Sequence, residues 1–548
     1  GITVRDGQDN IGGGIRISGE GFNNISFLDF GKALTQANTS AVLGDVVVTE
    51  NQALYEGGGI YAVGVDLILN NSQVTHNDTE LFTGGGISMR GGGCFKCLKT
   101  IVGPPIIQGL LTLQNTTVSE NNVGGVGGGI YNNTQMVIDS STISGNTAGE
   151  DGGGIYDEYG ASALITNSTI SGNEALGEEL PKLTFPDAKL AVIDGSGTGG
   201  GIFQGPFGEL VLTNTTVSGN TALSSGGGIA VIGLLVAQAP ALKMGDLNST
   251  NLGLFNVTIA NNTAQINQGG GVFLFQPQPV STMKTAIVSL QTAVANTLIA
   301  DNTADEGAND CLGGFTSLGY NLVGQADDFC TGFIGTGDQA GTPQAPIDPL
   351  LGPLQNNGGP TQTLGLGVSS PAIDTANPEG CLDGDGALLT RDQRNFARPV
   401  NLTNKPTAIC DIGAFEAGNS LLKVVVSFVG PITTSQGTCS NAGETINCDF
   451  NEVPVGSTVT ISFPVTAESP SKTVVNTVTV TSSTKDFEQA QTYTATVTTA
   501  VGGGLFEGSG CGIHAGPTSE NAAWQTLLPL ALCLGAAFAT RLRRRNQE

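Results

Sequence analysis

The chain has 548 residues, of which 82 are glycine, 23 proline and only 30 aromatic (22 Phe, 7 Tyr, 1 Trp). Glycine is enriched about twofold over the usual ~7%. Yet Gly and Pro together stay below the roughly 25–30% of low-complexity chains, and no Gly-X-Y period supports collagen. With 21 basic against 47 acidic residues, net charge −26, the chain lacks the basic footprint of a nucleic-acid binder.

The chain opens at Gly1 inside a repeat, GITVRDGQDNIGGGI, which reads as an incomplete or processed N-terminus. Gly-Gly-Gly followed by Ile or Val begins at Gly12, Gly57, Gly84, Gly127, Gly152, Gly199, Gly226 and Gly269. Between the triplets run TTVSENN, STISGNTA, STISGNEA, TTVSGNTA, VTIANNTA and TLIADNTA, which place Asn at 51, 77, 121, 146, 173, 220, 262 and 302. Six residues before each lies another Asn or Asp (Asp45, Asn71, Asn115, Asn167, Asn214, Asn256, Asn296), with Ser140 the exception. The shortest triplet spacings are 25 and 27, the longest 43 to 47. The unit is therefore 25 to 27 residues, with inserts admitted at two fixed places.

Such a period with short β-rich runs predicts a coil of stacked parallel strands, with β-branched side chains in vertical rows inside. One row is Val118, Ile143, Ile170, Val217, Ile259 and Ile299. Another runs from Ile15 and Ile60 through Ile87, Ile130, Ile155, Ile202 and Ile229 to Val272. The ladder Asn set is expected at a turn, where Asn tolerates left-handed backbone and its amide bonds the copies above and below. The glycine triplet is expected to make a corner with positive φ. Leucine-rich repeats, calcium-binding nonapeptide repeats and propeller blades lack this frame. The expected fold is all-β: a right-handed parallel β-helix over 1–305, a small Ig-like β-sandwich, then a C-terminal hydrophobic helix. The inserts at 91–110, 174–198, 231–250 and 275–292 are the expected ligand surfaces.

GGGI paired with a downstream SGNTA resembles the secreted β-helix repeats of bacteria, including those similar to chlamydial polymorphic outer-membrane proteins. The resemblance implies display or adhesion at a cell surface more than catalysis. No alternating ten-residue amphipathic strands of an autotransporter barrel follow the repeat.

From about 296 to 416, NTLIADNTADEGANDCLGGFTSLGYNLVG, DPLLGPLQNNGGPTQTLGLGVSSPAID, DQRNFARPVN and CDIGAFE are similar to the bacterial choice-of-anchor Q region. As a domain it takes 306–419 and is expected to form the last coils and a cap, since an open coil end exposes unpaired edges. Residues 420–501 carry alternating Val/Thr runs, the pattern of an antiparallel sandwich. The stretch from INCDFNEVPVGSTVTISFPVTA to NTVTVTSSTKD resembles the Ig-like conserved repeat of bacterial surface proteins.

Residues 502–521 read as a Gly-rich linker carrying Cys511. Within 522–548, Trp524 to Thr540 is almost wholly apolar and is closed by RLRRR. Its 17 residues are the short limit for a membrane span, and the arginines would stay cytoplasmic. This order is similar to bacterial C-terminal sorting signals. The resemblance implies that Gly510 and Cys511 precede the span, that Arg541, Arg543, Arg544 and Arg545 close it, and that a sorting protease or envelope machinery is the partner. A permanent tail anchor is the alternative. Either outcome makes the protein exported, held at the envelope or surface or released after processing.

Cysteines fall in neighbouring pairs: Cys94 with Cys97, Cys311 with Cys330, Cys381 with Cys410, and Cys439 with Cys448. Local disulfides in an oxidising compartment fit, although spacing does not fix connectivity. The CxxC could also be a redox pair or half a zinc site, but no second half is at hand.

β-helices also host polysaccharide lyases and hydrolases, which need clustered carboxylates on one face. Asp157 with Glu158, Glu178 with Glu179, and Asp383 with Asp385 do not recur in register on adjacent rungs. Asp383 and Asp385, in DGDG, are the weakest sort of metal candidate, for the rest of a calcium loop is missing. Arg391, Arg394 and Arg398 read as structural. His76 and His514 leave little for histidine chemistry. No catalytic residue, cofactor or metal is assigned. A structural or adhesive display scaffold is the expected function, with a glycan or cell-surface ligand as partner. A polysaccharide-processing enzyme and a non-catalytic glycan-binding protein are the alternatives.

Overall fold

The computed structural model describes residues 2–18, 40–91, 109–177, 197–237, 250–276, 285–288, 290–367, 369–401 and 406–417, together with seven strands between 433 and 514. Among these residues every regular element is a strand. Two compact units divide the chain, 1–418 and 419–548.

The first unit is built from four long sheets of parallel strands, with 11, 9, 10 and 9 strands among the described residues. Each pass of the chain lays one strand in each sheet. The pass from Leu110 is representative: Leu110–Gln114 enters the fourth sheet, Thr117–Ser119 the first, Asn122–Val123 the second and Ile130–Asn132 the third. The next pass repeats it in register, so Val118 stands on Ile143, Val123 on Ala148 and Ile130 on Ile155. This is the arrangement of a parallel β-helix.

The strands are short because corners recur every few residues, and each corner has a chemical cause. From fourth to first sheet the backbone turns through a left-handed residue, Asn71 at φ 49 and Asn115 at φ 48. Asn adopts this region more readily than other non-glycine residues. Ser140, the exception in the Asn row, takes the same conformation at φ 50.

At the corner from first to second sheet the expectation is corrected. The ladder Asn is not the left-handed residue; the residue before it is. That position holds Glu50, His76 (φ 56), Glu120, Gly145, Gly172, Gly219, Asn261 and Asp301. The reason lies in the side chain: the ladder Asn must point inward, and its neighbour absorbs the turn. His76 is thereby a corner residue.

The third corner is the glycine triplet, whose members are required for different reasons. The first glycine has positive φ, as at Gly127 (φ 75). A Cβ on the second, Gly128, would stand 2.3 Å from the Gly153 carbonyl oxygen one rung on. A Cβ on the third, Gly129, would stand 2.9 Å from the ladder amide nitrogen of Asn146. Gly128→Ala is therefore expected to cost about 3 kcal/mol or more, beyond ordinary overpacking, because the backbone of the next rung at Thr147 and Gly153 must shift. Chemical denaturation against Gly44→Ala checks it, since a Cβ on Gly44 meets nothing within 4 Å.

The interior is a continuous column of aliphatic side chains. Ile60, Ile87, Ile130, Ile155, Ile202 and Ile229 from the third sheet meet Leu67, Leu69, Leu111, Leu113, Ile138 and Leu212 from the fourth, all buried. Each such side chain contributes about 1.5–3 kcal/mol by leaving water.

The coil continues past residue 305. Cys311–Gly314, Leu322–Val323 and Gln339–Ala340 extend the third and first sheets. Beyond them the chain runs back along the flank of earlier rungs as a strap. The Thr361 hydroxyl donates to Asn167 O, Asn214 Nδ2 to Arg391 O, Asn256 Nδ2 to Leu382 O, and the Asn377 amide to Asn296 Oδ1. Gln393 bridges two rungs, donating to Ser168 O and accepting from the Thr216 hydroxyl. The corner residues therefore supply polar groups that this segment matches one by one.

Inserts leave the coil at the third-to-fourth corner and at the second-to-third corner. Two of them meet: Leu234–Ala237 pairs antiparallel with Thr285–Val288. In the second unit the described pairs are all antiparallel. Thr438–Ala442 faces Thr445–Asp449, Thr473–Val480 faces Tyr493–Ala500, and Thr458–Ser462 lies between Thr433–Thr434 and Cys511–His514. Cys511 thus begins a strand rather than sitting in a linker, because Gly512 and Ile513 find register partners at Thr460 and Val459.

Candidate functional site

Two internal ladders organise the polar groups of the coil. In the first, each ladder Asn donates through Nδ2 to the next Asn Oδ1 and to a first-sheet carbonyl one rung back. Asn121 donates to Asn146 Oδ1 (2.9 Å) and Val74 O (2.9 Å), and Asn146 to Asn173 Oδ1 (2.9 Å) and Val118 O (3.0 Å). The Oδ1 of Asn146 also accepts the Asn121 backbone amide at 3.1 Å. All these amides are buried.

The ladder ends on Asp310, whose Oδ1 accepts both Asn302 Nδ2 and Asn302 N at 3.0 Å. Asp310 precedes Cys311, which pairs with Val272, so it stands at the third-glycine position of its rung. From there its carboxylate replaces the acceptor of the missing next Asn. Burial raises its pKa to about 6, against the pull of the Asn302 and Gln325 hydrogen bonds.

The second ladder is of hydroxyls and lies beyond the expected rows. Thr116 N donates to Ser141 Oγ, Ser141 N to Ser168 Oγ, and Thr297 N to Asn321 Oδ1, whose Nδ2 in turn donates to Asp338. Its sequence signal is the Ser or Thr that follows the corner Asn in NS and NT dipeptides.

The chemically richest cluster lies on the outer face of the third sheet. Tyr131, Tyr156 and Phe203 occupy one register position and stack, with centroids 5.9 and 4.7 Å apart. Arg90 covers Tyr131 at 4.6 Å from the ring. Its Nε donates to Glu56 Oε2 at 2.6 Å and one terminal nitrogen to the Tyr131 hydroxyl at 3.1 Å. Tyr131 donates to Glu158, which also accepts Asn133 Nδ2 at 2.6 Å. Burial holds the Tyr131 and Tyr156 hydroxyls well above their usual range. The rings use their faces on one another and on Arg90, and the Tyr131 hydroxyl is committed to Arg90 and Glu158.

The two candidate carboxylate pairs that fall on described residues do not converge on one face. Asp157 points into the core and Glu158 out of it, as alternation in a strand dictates. Asp383 and Asp385 sit in an exposed turn in which Asp383 Oδ1 accepts the amides of Asp385 (3.0 Å) and Ala387 (2.7 Å). Among the described residues no group of three or more His, Cys, Asp or Glu could hold a metal ion.

The three arginines are divided. Arg391 is exposed and donates to Asn395 O. Arg394 is buried, paired with Asp392 at 2.6 Å and held between the Phe396 and Phe415 rings. Arg398 is buried, paired with Glu416 at 3.0 Å, and donates to Asn214 Oδ1, Asp411 O and Gly413 O. Burial and repulsion from Glu416 push the Asp411 carboxyl up; burial raises Glu416 as well, opposed by Arg398. The two buried arginines hold the strap together, and Arg398 locks it to the coil.

Cys311 bonds Cys330 and Cys381 bonds Cys410, with Cα separations of 5.2 and 6.2 Å. Cys439 and Cys448 are register partners on facing strands. Cys94, Cys97, Glu178, Glu179, Gly510, Arg541, Arg543, Arg544 and Arg545 lie outside the described residues. So does the apolar stretch 524–540; among the described residues no helix is long and apolar enough to cross a membrane.

A family model of the Chlamydia polymorphic membrane protein repeat matches residues 140–158. That stretch runs from the corner Ser140 through ladder Asn146 and triplet Gly152 to Glu158. No curated protein and no solved structure matches the chain.

Proposed function

We propose that this protein is an exported β-helix scaffold displayed at the bacterial cell envelope. The observation that carries the proposal is the economy of the coil. Its ladder amides, corner hydroxyls and glycine triplets are committed to holding rung on rung. Variation is confined to inserts at two corners. A rigid body with freely varying corners is suited to presentation. The polymorphic membrane protein repeat supports an envelope location, and the two disulfides fit an oxidising compartment.

On this reading the coil is right-handed, the default hand of crossovers between parallel strands. The inserts bear the adhesive or glycan contacts, and the second unit is an Ig-like spacer. Gly510, Cys511, the apolar stretch 524–540 and the arginines at 541–545 form a sorting signal.

The test is protease shaving and antibody labelling of intact cells, with the C-terminal mass of the mature protein. Cleavage within 91–110 or 231–250 on intact cells and loss of the Arg541–Arg545 tail are expected. Protection of every insert until the cells are lysed would overturn display, and an intact arginine tail would overturn processing.

A further inference from the structure

Asn132, Asp157 and Gln204 stand at one inward register on three successive third-sheet strands, and all three are buried. Their donors are committed. Asn132 Nδ2 donates to Thr134 O (3.2 Å) and to Asp157 Oδ1 (2.7 Å). Gln204 Nε2 donates to Ala161 O (3.3 Å) and Gly205 O (3.0 Å), which fixes the orientation of its amide. Two oxygens are left without a partner, Asp157 Oδ2 and Gln204 Oε1. They belong to register neighbours. Two acceptors repel each other unless a proton lies between them, and a buried polar atom left unpaired is costly.

We propose that Asp157 is a neutral acid whose Oδ2–H donates to Gln204 Oε1, and that this shared proton is a pH-sensitive latch between two rungs. The protonated carboxyl then plays the part of an amide. The row Asn132, Asp157, Gln204 donates in one direction, as the asparagine ladder does. The latch joins the rungs on either side of the insert at 178–196, closing a path from residue 157 to residue 204.

Among the described residues nothing charged shares its face. Tyr131 and Tyr156 alternate to the outer side, Glu158 is engaged there by Tyr131 and Asn133, and the strand Ile202–Gln204 has no titratable group. Burial raises the Asp157 pKa to about 7, opposed by the Asn132 hydrogen bond. The unfolded carboxyl titrates near ~3.9. A folded value above it means the stabilisation is complete below about pH 4 and is lost as pH rises through about 7. The latch depends only on the coil, wherever the protein is displayed.

The experiment compares the full chain with Asp157→Asn by denaturant unfolding at pH 5 and pH 8. The amide introduced by Asp157→Asn keeps the acceptor for Asn132 and supplies a permanent donor to Gln204. The wild-type folding constant is expected to fall about 100-fold more than that of the variant across this interval. Equal pH dependence, or a variant that does not fold at pH 5, would overturn the latch. Infrared difference spectroscopy between the two proteins at pH 5 gives a second readout. A protonated-carboxyl stretch unique to wild type is expected; a carboxylate band alone would overturn the proposal.

Discussion

Asn146→Ala is expected to destabilise the coil by about 4 kcal/mol, concentrated in the rungs around it. The side chain is wholly buried and stands in the middle of the ladder. Removing it deletes the two bonds it donates, to Val118 O and Asn173 Oδ1. It also strands two donors of Asn121, the backbone N and Nδ2, which share the Asn146 Oδ1. An unsatisfied buried donor costs about 1–3 kcal/mol, and no water replaces the missing oxygen in a column this tightly stacked. Asn122→Ala, at the exposed position after ladder Asn121 with a surface bond to Asp78, is expected to stay within about 0.5 kcal/mol.

Stacked repeats open locally, so a single melting curve averages over unequal rungs. Amide hydrogen exchange is the better measurement. Faster exchange at Val118, Ile143 and Ile170 with little change at Ile299 is the expected pattern. Uniform loss along the whole coil would show that the ladder acts as one cooperative unit instead.

Arg398→Met is expected to release the strap while leaving the coil wound. Arg398 is the point where Glu416, the carbonyls of Asp411 and Gly413, and the coil residue Asn214 converge. Without it the Glu416 and Asp411 carboxylates face each other buried, held by backbone amides but with the Glu416 ion pair gone. Breaking a buried pair from one side typically costs about 3–5 kcal/mol. Both carboxyls already titrate above their ordinary range. Protonation relieves their repulsion, so the loss in the variant is expected to grow as pH rises and to shrink in acid. Limited proteolysis within 342–417 at pH 5 and pH 8 reads both effects. Arg391→Met is the control and is expected to be neutral, because it alters an exposed side chain that donates to Asn395 O within its own turn.

The 25-to-27-residue period, the Gly-Gly-Gly corners and the inward Val/Ile rows were legible in the sequence, because a solenoid makes each rung contact its own copy. A local pattern repeated in register is then already a tertiary contact. The pairs Cys311 with Cys330 and Cys381 with Cys410 were legible as neighbours for the same reason of proximity.

What the pattern could not convey was direction. Asp157 and Glu158 look like a carboxylate pair on paper, but strand alternation sends one inward and the other out. The asparagine ladder was visible, yet which residue at that corner takes positive φ was not, since Glu120, His76 and Gly145 share no chemistry. Asp310 was hidden because it closes the ladder from a glycine position, eight residues beyond Asn302.

By itself, then, the sequence determined the coil: its period, its corners, its apolar interior and the places where inserts enter. Those are set by short-range chemistry repeated rung after rung. Only the tertiary structure decided that 342–417 folds back as a strap, that Arg394 and Arg398 are buried in it, and that Arg398 reaches Asn214 of the coil. The contacts that tie the strap to the coil join residues as much as 184 positions apart. No local preference encodes them; they exist because burial forces each polar group to find a partner in space.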